Sequence, residues 1–197
     1  ASYLIEGAPS RTYGRTKAVM LGEPALWNDL MERLVDMAIT SLRSQIAAGA
    51  SAIQLFDSWA GALSPPVYER CVLPHSRRVF EGVADTGVPG IHFGVGTGEI
   101  LPLMAEAGAD VIGVDWRVPL DEARRRLGPD AILQGNLDPA VCLGPPEVVE
   151  AEVADVLSRN GGHPGHVFNL GHGVLPEIDP AVLERVVAQV HAHPIGG

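Results

Sequence analysis

Long amphipathic stretches alternate with short apolar, β-branched runs along most of this chain, and that alternation constrains the fold more than any other feature. From Pro24 to Gly49, Leu26, Leu30, Leu34, Met37 and Ile46 recur at helical spacing, Pro24 suits a first turn, and Gly49 suits a stop. A strand is predicted over residues 52–56. The pattern then repeats: helix 66–83, strand 90–93, helix 97–107, strand 111–114, short helix 119–127, strand 131–134, helix 146–159, strand 166–170 and a last helix 180–193. No hairpin signal separates any two strands, so about five βα units and a parallel sheet are expected.

Consecutive βα units suit either a doubly wound sheet or a (β/α) barrel, and periodicity does not choose between them. The polar residues do. Asp57 and Ser58, Asp115, Asn136 and Asp138, and Asn169 with His172 all follow predicted carboxyl ends of strands. Several strands contributing alike to one rim favours the barrel. A whole barrel takes eight strands and about 250 residues. The expectation is therefore a single α/β domain over residues 1–197, the carboxy-terminal portion of a (β/α)8 TIM barrel. Ala1 to Gly7 reads as the end of a strand already under way, as if an amino-terminal part preceded it.

With 197 residues, 46% of them hydrophobic and 19% charged, the chain has enough apolar material for a real core. No apolar run approaches the roughly 20 residues of a membrane span, and Ala1 to Gly14 lacks the pattern of a secretion signal, so a cytoplasmic location is expected. A net charge of −10 argues against general nucleic-acid binding. Arg124 to Arg126, the densest basic cluster, reads as a solvated helix face near a C-terminus. Cys71 and Cys142 lie far apart and outside any Cys-x-x-Cys pattern, so both read as small core or helix residues rather than a disulfide or zinc pair.

Gly94, Gly96 and Gly98 follow a predicted strand, but their spacing is not that of a dinucleotide loop, and a plain rim loop is the simpler reading. In Asn169-Leu170-Gly171-His172-Gly173, glycines flank an imidazole at a strand end, suiting close approach of a ligand or an ordinary turn. Ser58 either caps the next helix or donates to a ligand oxygen. Asp138 before Pro139 reads first as a helix cap. Asp115, with Trp116 beside it, either shapes a cleft or touches its ligand. Tyr3 reads as a strand-end core aromatic.

Taken together, five ordered segments resemble the uroporphyrinogen decarboxylase family: Ser2 to Gly7, Gln54 to Gly61, Gly113 to Trp116, Gln134 to Pro139, and Asn169 to Gly173. The resemblance implies a (β/α) barrel, a homodimer when full length, and conversion of uroporphyrinogen III to coproporphyrinogen III without a cofactor or metal. In the family, the Tyr of Tyr-x-x-Glu-Gly, the Ser before x-Ala-Gly and the His of Leu-Gly-His-Gly line the substrate cleft. Here those are Tyr3, Ser58 and His172. The family's Arg-Gln-Ala-Gly-Arg segment and its catalytic cleft Asp belong upstream of Ala1.

Two rival readings stand beside this one. A corrinoid-linked methyltransferase of the same superfamily would use zinc held by a His-x-Cys pattern and a later Cys, yet Gly94 stands where His92 would need that first Cys, and His172 lies in the region of the later one. A non-catalytic partial barrel acting as an interaction module is the other. Three matching cleft residues weigh against a decayed site.

Overall fold

The computed structural model describes residues 1–194. Its helices are α1 (Ser2–Glu6), α2 (Gly14–Gly22), α3 (Pro24–Ala47), α4 (Pro65–Cys71), α5 (Leu73–Glu81), α6 (Leu101–Glu106), α7 (Leu120–Leu127), α8 (Pro146–Asn160) and α9 (Pro180–Ala192). Its strands are β1 (Ile53–Phe56), β2 (Gly90–Phe93), β3 (Val111–Gly113), β4 (Leu133–Leu137) and β5 (His166–Leu170). They pair in chain order, β1-β2-β3-β4-β5, and every pairing is parallel. A doubly wound sheet reverses its order at a switch point, and this one does not.

The sheet also curls. In a flat sheet, β1 and β4 would lie roughly 14 Å apart, three strand spacings. Yet the Gln134 side-chain amide donates to Gln54 Oε1 at 3.1 Å, which requires the intervening strands to bend toward a common axis. One face of the curl is covered by helices: Ile112, Leu133 and Leu137 pack in one cluster with Met104, Leu120 and Val153. The concave face remains open, leaving Phe56 64% exposed. Five βα strands wrapped this way form an arc of a (β/α) barrel wall.

Four local expectations are corrected. Residues 66–83 form two helices, α4 and α5, because Pro74 has no N–H to give the Arg70 carbonyl. The break is used: Cys71 O, released from the helical ladder, accepts the Trp27 indole N–H at 2.8 Å and docks α3. Tyr3 lies in a helix, not at a strand end. Ala1 to Gly7 closes a turn on itself, Ile5 N–H bonding Ala1 O at 3.1 Å and Gly7 stopping the turn at φ 67°. Helix α2 went unmarked by apolar periodicity because only Thr16 and Met20 of it are buried.

The fourth β-strand starts and ends later than predicted, so Asn136 lies within β4 rather than beyond it. Its Nδ2 donates to Asp115 O at 2.8 Å and Val118 O at 2.6 Å, which satisfies a buried amide inside a strand. Cys71 and Cys142 are buried, as expected.

Arg124 departs from the solvated face predicted for it. It is only 7% exposed, and its guanidinium donates to Pro129 O at 2.9 Å, Ala131 O at 2.7 Å and Asn160 Oδ1 at 3.0 Å. These bonds tie the end of α7 to the entry of β4 and the end of α8. Replacing Arg124 by Leu would strand buried acceptors at a cost of about 2–4 kcal/mol. Exposed Arg125→Ala should stay within about 0.5 kcal/mol of wild type. Urea unfolding of the two variants checks the contrast.

Candidate functional site

Connections after the carboxyl ends of all five strands gather on one rim, and buried polar bonds lock several of them together. The carboxylate of Asp115, 2% exposed, accepts from the Gly96 N–H, the Arg117 N–H and Arg117 Nη1. It thereby joins the Gly94–Gly98 connection to the one after β3. Asn136 extends the link to β4, and Gly171 N–H closes it by donating to Leu137 O at 2.7 Å. Asp115 shapes the rim from below, having spent its oxygens on backbone and Arg117.

Two glycines fit only because they lack a side chain. A methyl group on Gly61 would overlap the Val95 and Gly96 carbonyls, and one on Gly171 would overlap the Trp116 backbone nitrogen. That close approach puts the His172 ring 5.9 Å from the Trp116 ring, while the Arg117 guanidinium stacks 3.9 Å from the centre of the same Trp116 ring.

A cavity of about 370 Å³ opens beside the end of β1, lined by Tyr3, Tyr13, Lys17, Asp57, Ser58 and Trp59 over a floor that includes Met20, Trp27 and Phe56. The Tyr3 ring meets Trp59 edge-on at 4.6 Å, and Tyr13 lies 5.8 Å away on the same indole. Helix α1 is held there by Glu6, whose carboxylate accepts both the N–H and the hydroxyl of Thr16 at 2.9 Å. The Thr16 amide, first among these contacts, keeps the Glu6 carboxyl below its usual range. Ser58 does not cap the 3₁₀ turn that follows it, for which Trp59 holds the cap position without a side-chain bond.

His172 lines a neighbouring cavity of about 430 Å³ together with Gln54, Phe56, Phe93 and Asn169. Thus Tyr3 and Ser58 share one cavity, His172 lines the other, and Phe56 belongs to both. His172 Nδ1 accepts the Gly173 N–H at 2.6 Å, leaving Nε2 as its outward polar atom. Asp138 serves as the helix cap foreseen for it, accepting Ala140 N–H at 2.9 Å.

Behind the rim, His92 is wholly buried on the helix-covered side, its Nδ1 3.2 Å from Met104 O. Its Nε2 lies 3.7 Å from Asp57 Oδ2. Burial, with the Asp57 charge adding to it, pushes the Tyr68 phenol well above its ordinary pKa. Among the described residues, no group of three or more His, Cys, Asp or Glu side chains is placed to hold a metal ion.

A sequence model of uroporphyrinogen decarboxylase matches residues 1–193. The chain belongs to the uroporphyrinogen decarboxylase family. It is 63% identical over 191 residues to the uroporphyrinogen decarboxylase of Streptomyces coelicolor, covering 97% of this chain and 54% of that protein. With that of Saccharopolyspora erythraea it shares 62% over 202 residues, covering 98% of this chain and 56% of the relative. This chain therefore spans about half the length of the curated relatives it matches. Among solved structures, a methyltransferase from Methanosarcina mazei superposes with a TM-score of 0.78 at 19% identity, over 88% of this chain and 51% of that one. At that identity the likeness speaks to fold alone.

Sequence reasoning singled out Tyr3, Ser58 and His172 but passed over Tyr13 and Lys17. Tyr13 is the cap residue before α2 and Lys17 lies in its first turn, its N–H bonding Tyr13 O at 2.8 Å. Because Gly171 sets the Trp116–His172 approach, Gly171→Ala should destabilise the protein by about 1–3 kcal/mol through overpacking. Gly173→Ala, where an added methyl meets nothing within 4 Å, should change stability by no more than about 0.5 kcal/mol. Thermal unfolding of both variants tests this.

Proposed function

We propose that this chain builds part of the substrate cleft of an enzyme that decarboxylates the four acetate side chains of uroporphyrinogen III, giving coproporphyrinogen III in tetrapyrrole synthesis. The 63% identity with a uroporphyrinogen decarboxylase over 97% of the chain carries this reading. The cavity chemistry agrees with it: largely apolar and aromatic walls suit a macrocycle, and the few polar groups suit its carboxylate arms. Tyr3 and Ser58 donate hydroxyl hydrogen bonds to those arms, and His172 Nε2 contacts the substrate from the adjoining cavity.

Loss of carbon dioxide from an acetate arm leaves carbanion character on the methylene carbon. Protonation of the attached pyrrole supplies an electron sink without any cofactor, and a carboxylate must stabilise the resulting cation. In the proposal that carboxylate is the family's cleft Asp, and the family's arginines pair with substrate carboxylates; both come from a part of the protein upstream of Ala1. Charge-assisted bonds of this kind contribute about 1.5–3 kcal/mol each. A cytoplasmic homodimer belongs to the same proposal.

An anaerobic assay with reduced uroporphyrinogen, followed by separation of products according to carboxyl number, tests the reading. The full-length protein should form coproporphyrinogen without added metal, flavin or nicotinamide. Residues 1–197 alone should not decarboxylate uroporphyrinogen: losing one key electrostatic group commonly costs about a hundredfold to a thousandfold, and the family's arginines would be missing as well. Comparable turnover by residues 1–197 would move the catalytic role to their own side chains, and inactivity of the full-length protein would remove the assigned reaction.

A further inference from the structure

Lys17 is the only lysine in the chain. Seven of the arginines, Arg33, Arg43, Arg78, Arg117, Arg125, Arg126 and Arg159, each pair with a carboxylate. Lys17 is half-buried in the wall of the Tyr3–Ser58 cavity. Among the described residues it forms no ion pair and no side-chain hydrogen bond, although Asp57 lines the same cavity.

An ammonium in a cavity wall that has no paired carboxylate is free to bond an anion that enters beside it. The walls restrict which anion that is. Met20, Trp27, Phe56 and Trp59 offer apolar and aromatic surface, and Tyr3 and Ser58 offer neutral hydroxyls. A bare inorganic ion would gain nothing from the former, whereas a carboxylate carried on an aromatic ring uses both. Lysine also suits the task differently from arginine: a point charge on a flexible four-carbon stem can follow a carboxylate arm without the fixed planar geometry of a fork.

We propose that Lys17 is a specificity-determining residue that pairs with a carboxylate arm of the substrate in the Tyr3–Ser58 cavity. The inference rests on the proposed function for the identity of that substrate. Helix α2 holds the stem in place: the Lys17 N–H bonds Tyr13 O at 2.8 Å, and the neighbouring Thr16 is clamped by Glu6. The ammonium therefore projects from an anchored first turn.

Equilibrium titration of the full-length protein with uroporphyrin I, a stable oxidised octacarboxylate, tests the pairing. Lys17→Met keeps the unbranched stem and removes the charge, and should weaken uroporphyrin binding on the order of tenfold, the scale of one charge-assisted bond. Lys17→Arg should recover affinity to within about threefold of wild type, and wild-type binding should fall more steeply with salt than that of Lys17→Met. Lys17→Gln reads the same loss if the Met variant does not fold, with circular dichroism reporting the fold of each. Unchanged affinity in folded Lys17→Met or Lys17→Gln overturns the proposal, as does a folded Lys17→Arg as weak as the charge-free variants. Parallel turnover of uroporphyrinogen by wild type separates the two ideas: no turnover with charge-dependent uroporphyrin binding removes the reaction and upholds the Lys17 contact.

Discussion

Each strand of this sheet bonds to its neighbours in the chain and runs in the same direction as they do. Parallel neighbours need a crossover, and crossovers are right-handed, so an unbroken order sends every connecting helix to the same side. The other features descend from that constraint. One face becomes the packed interior shared by β3, β4 and the helices α6, α7 and α8. The other face is left for polar residues such as Gln54 and Gln134, whose amides meet across the curl. All connections that follow strand ends emerge on one rim, where a site can draw on any of them.

Hydrogen bonds then convert that rim from a row of separate connections into a unit. Asp115 and Asn136 are both buried, and each spends its side chain on backbone groups of an adjacent connection. Buried polar groups are tolerated only when satisfied, so these two positions hold the loops in a single arrangement. The cavity beside β1 uses a different device. Its wall is brought in from the first two helices through Glu6 and Thr16, and an edge-on stack of Tyr3 against Trp59 forms one side of it.

Much of the fold was legible in the sequence. Strands 90–93 and 166–170 coincide with β2 and β5, and the long helix after Pro24 ends close to its glycine. Most of the departures arose where hydrogen-bond partners that periodicity does not reveal outweighed the local signal. Gly135 and Asn136 look like turn residues, yet they sit in β4 because the connection after β3 supplies two carbonyls for the Asn136 amide. Arg124 looks like a surface cation on a charged helix, yet two carbonyls just beyond that helix and Asn160 from α8 draw it inside. Pro74 was a readable break, and its reward, the Trp27 bond to Cys71, was not.

By itself the sequence determined the βα alternation, the parallel sheet, and the family to which the chain belongs, because these depend on periodicities and short ordered motifs that local chemistry imposes. It also marked Ser58 and His172 as strand-end residues. Only the tertiary structure decided that the sheet curls, that Tyr3 stands on a helix against Trp59, and that Ser58 and His172 line adjoining cavities joined at Phe56. It alone placed Lys17 in a cavity wall without a carboxylate partner. The physical reason is range: helix and strand periods act over a few residues, whereas the surroundings of a side chain are set by groups tens of residues away that only the folded chain brings within reach.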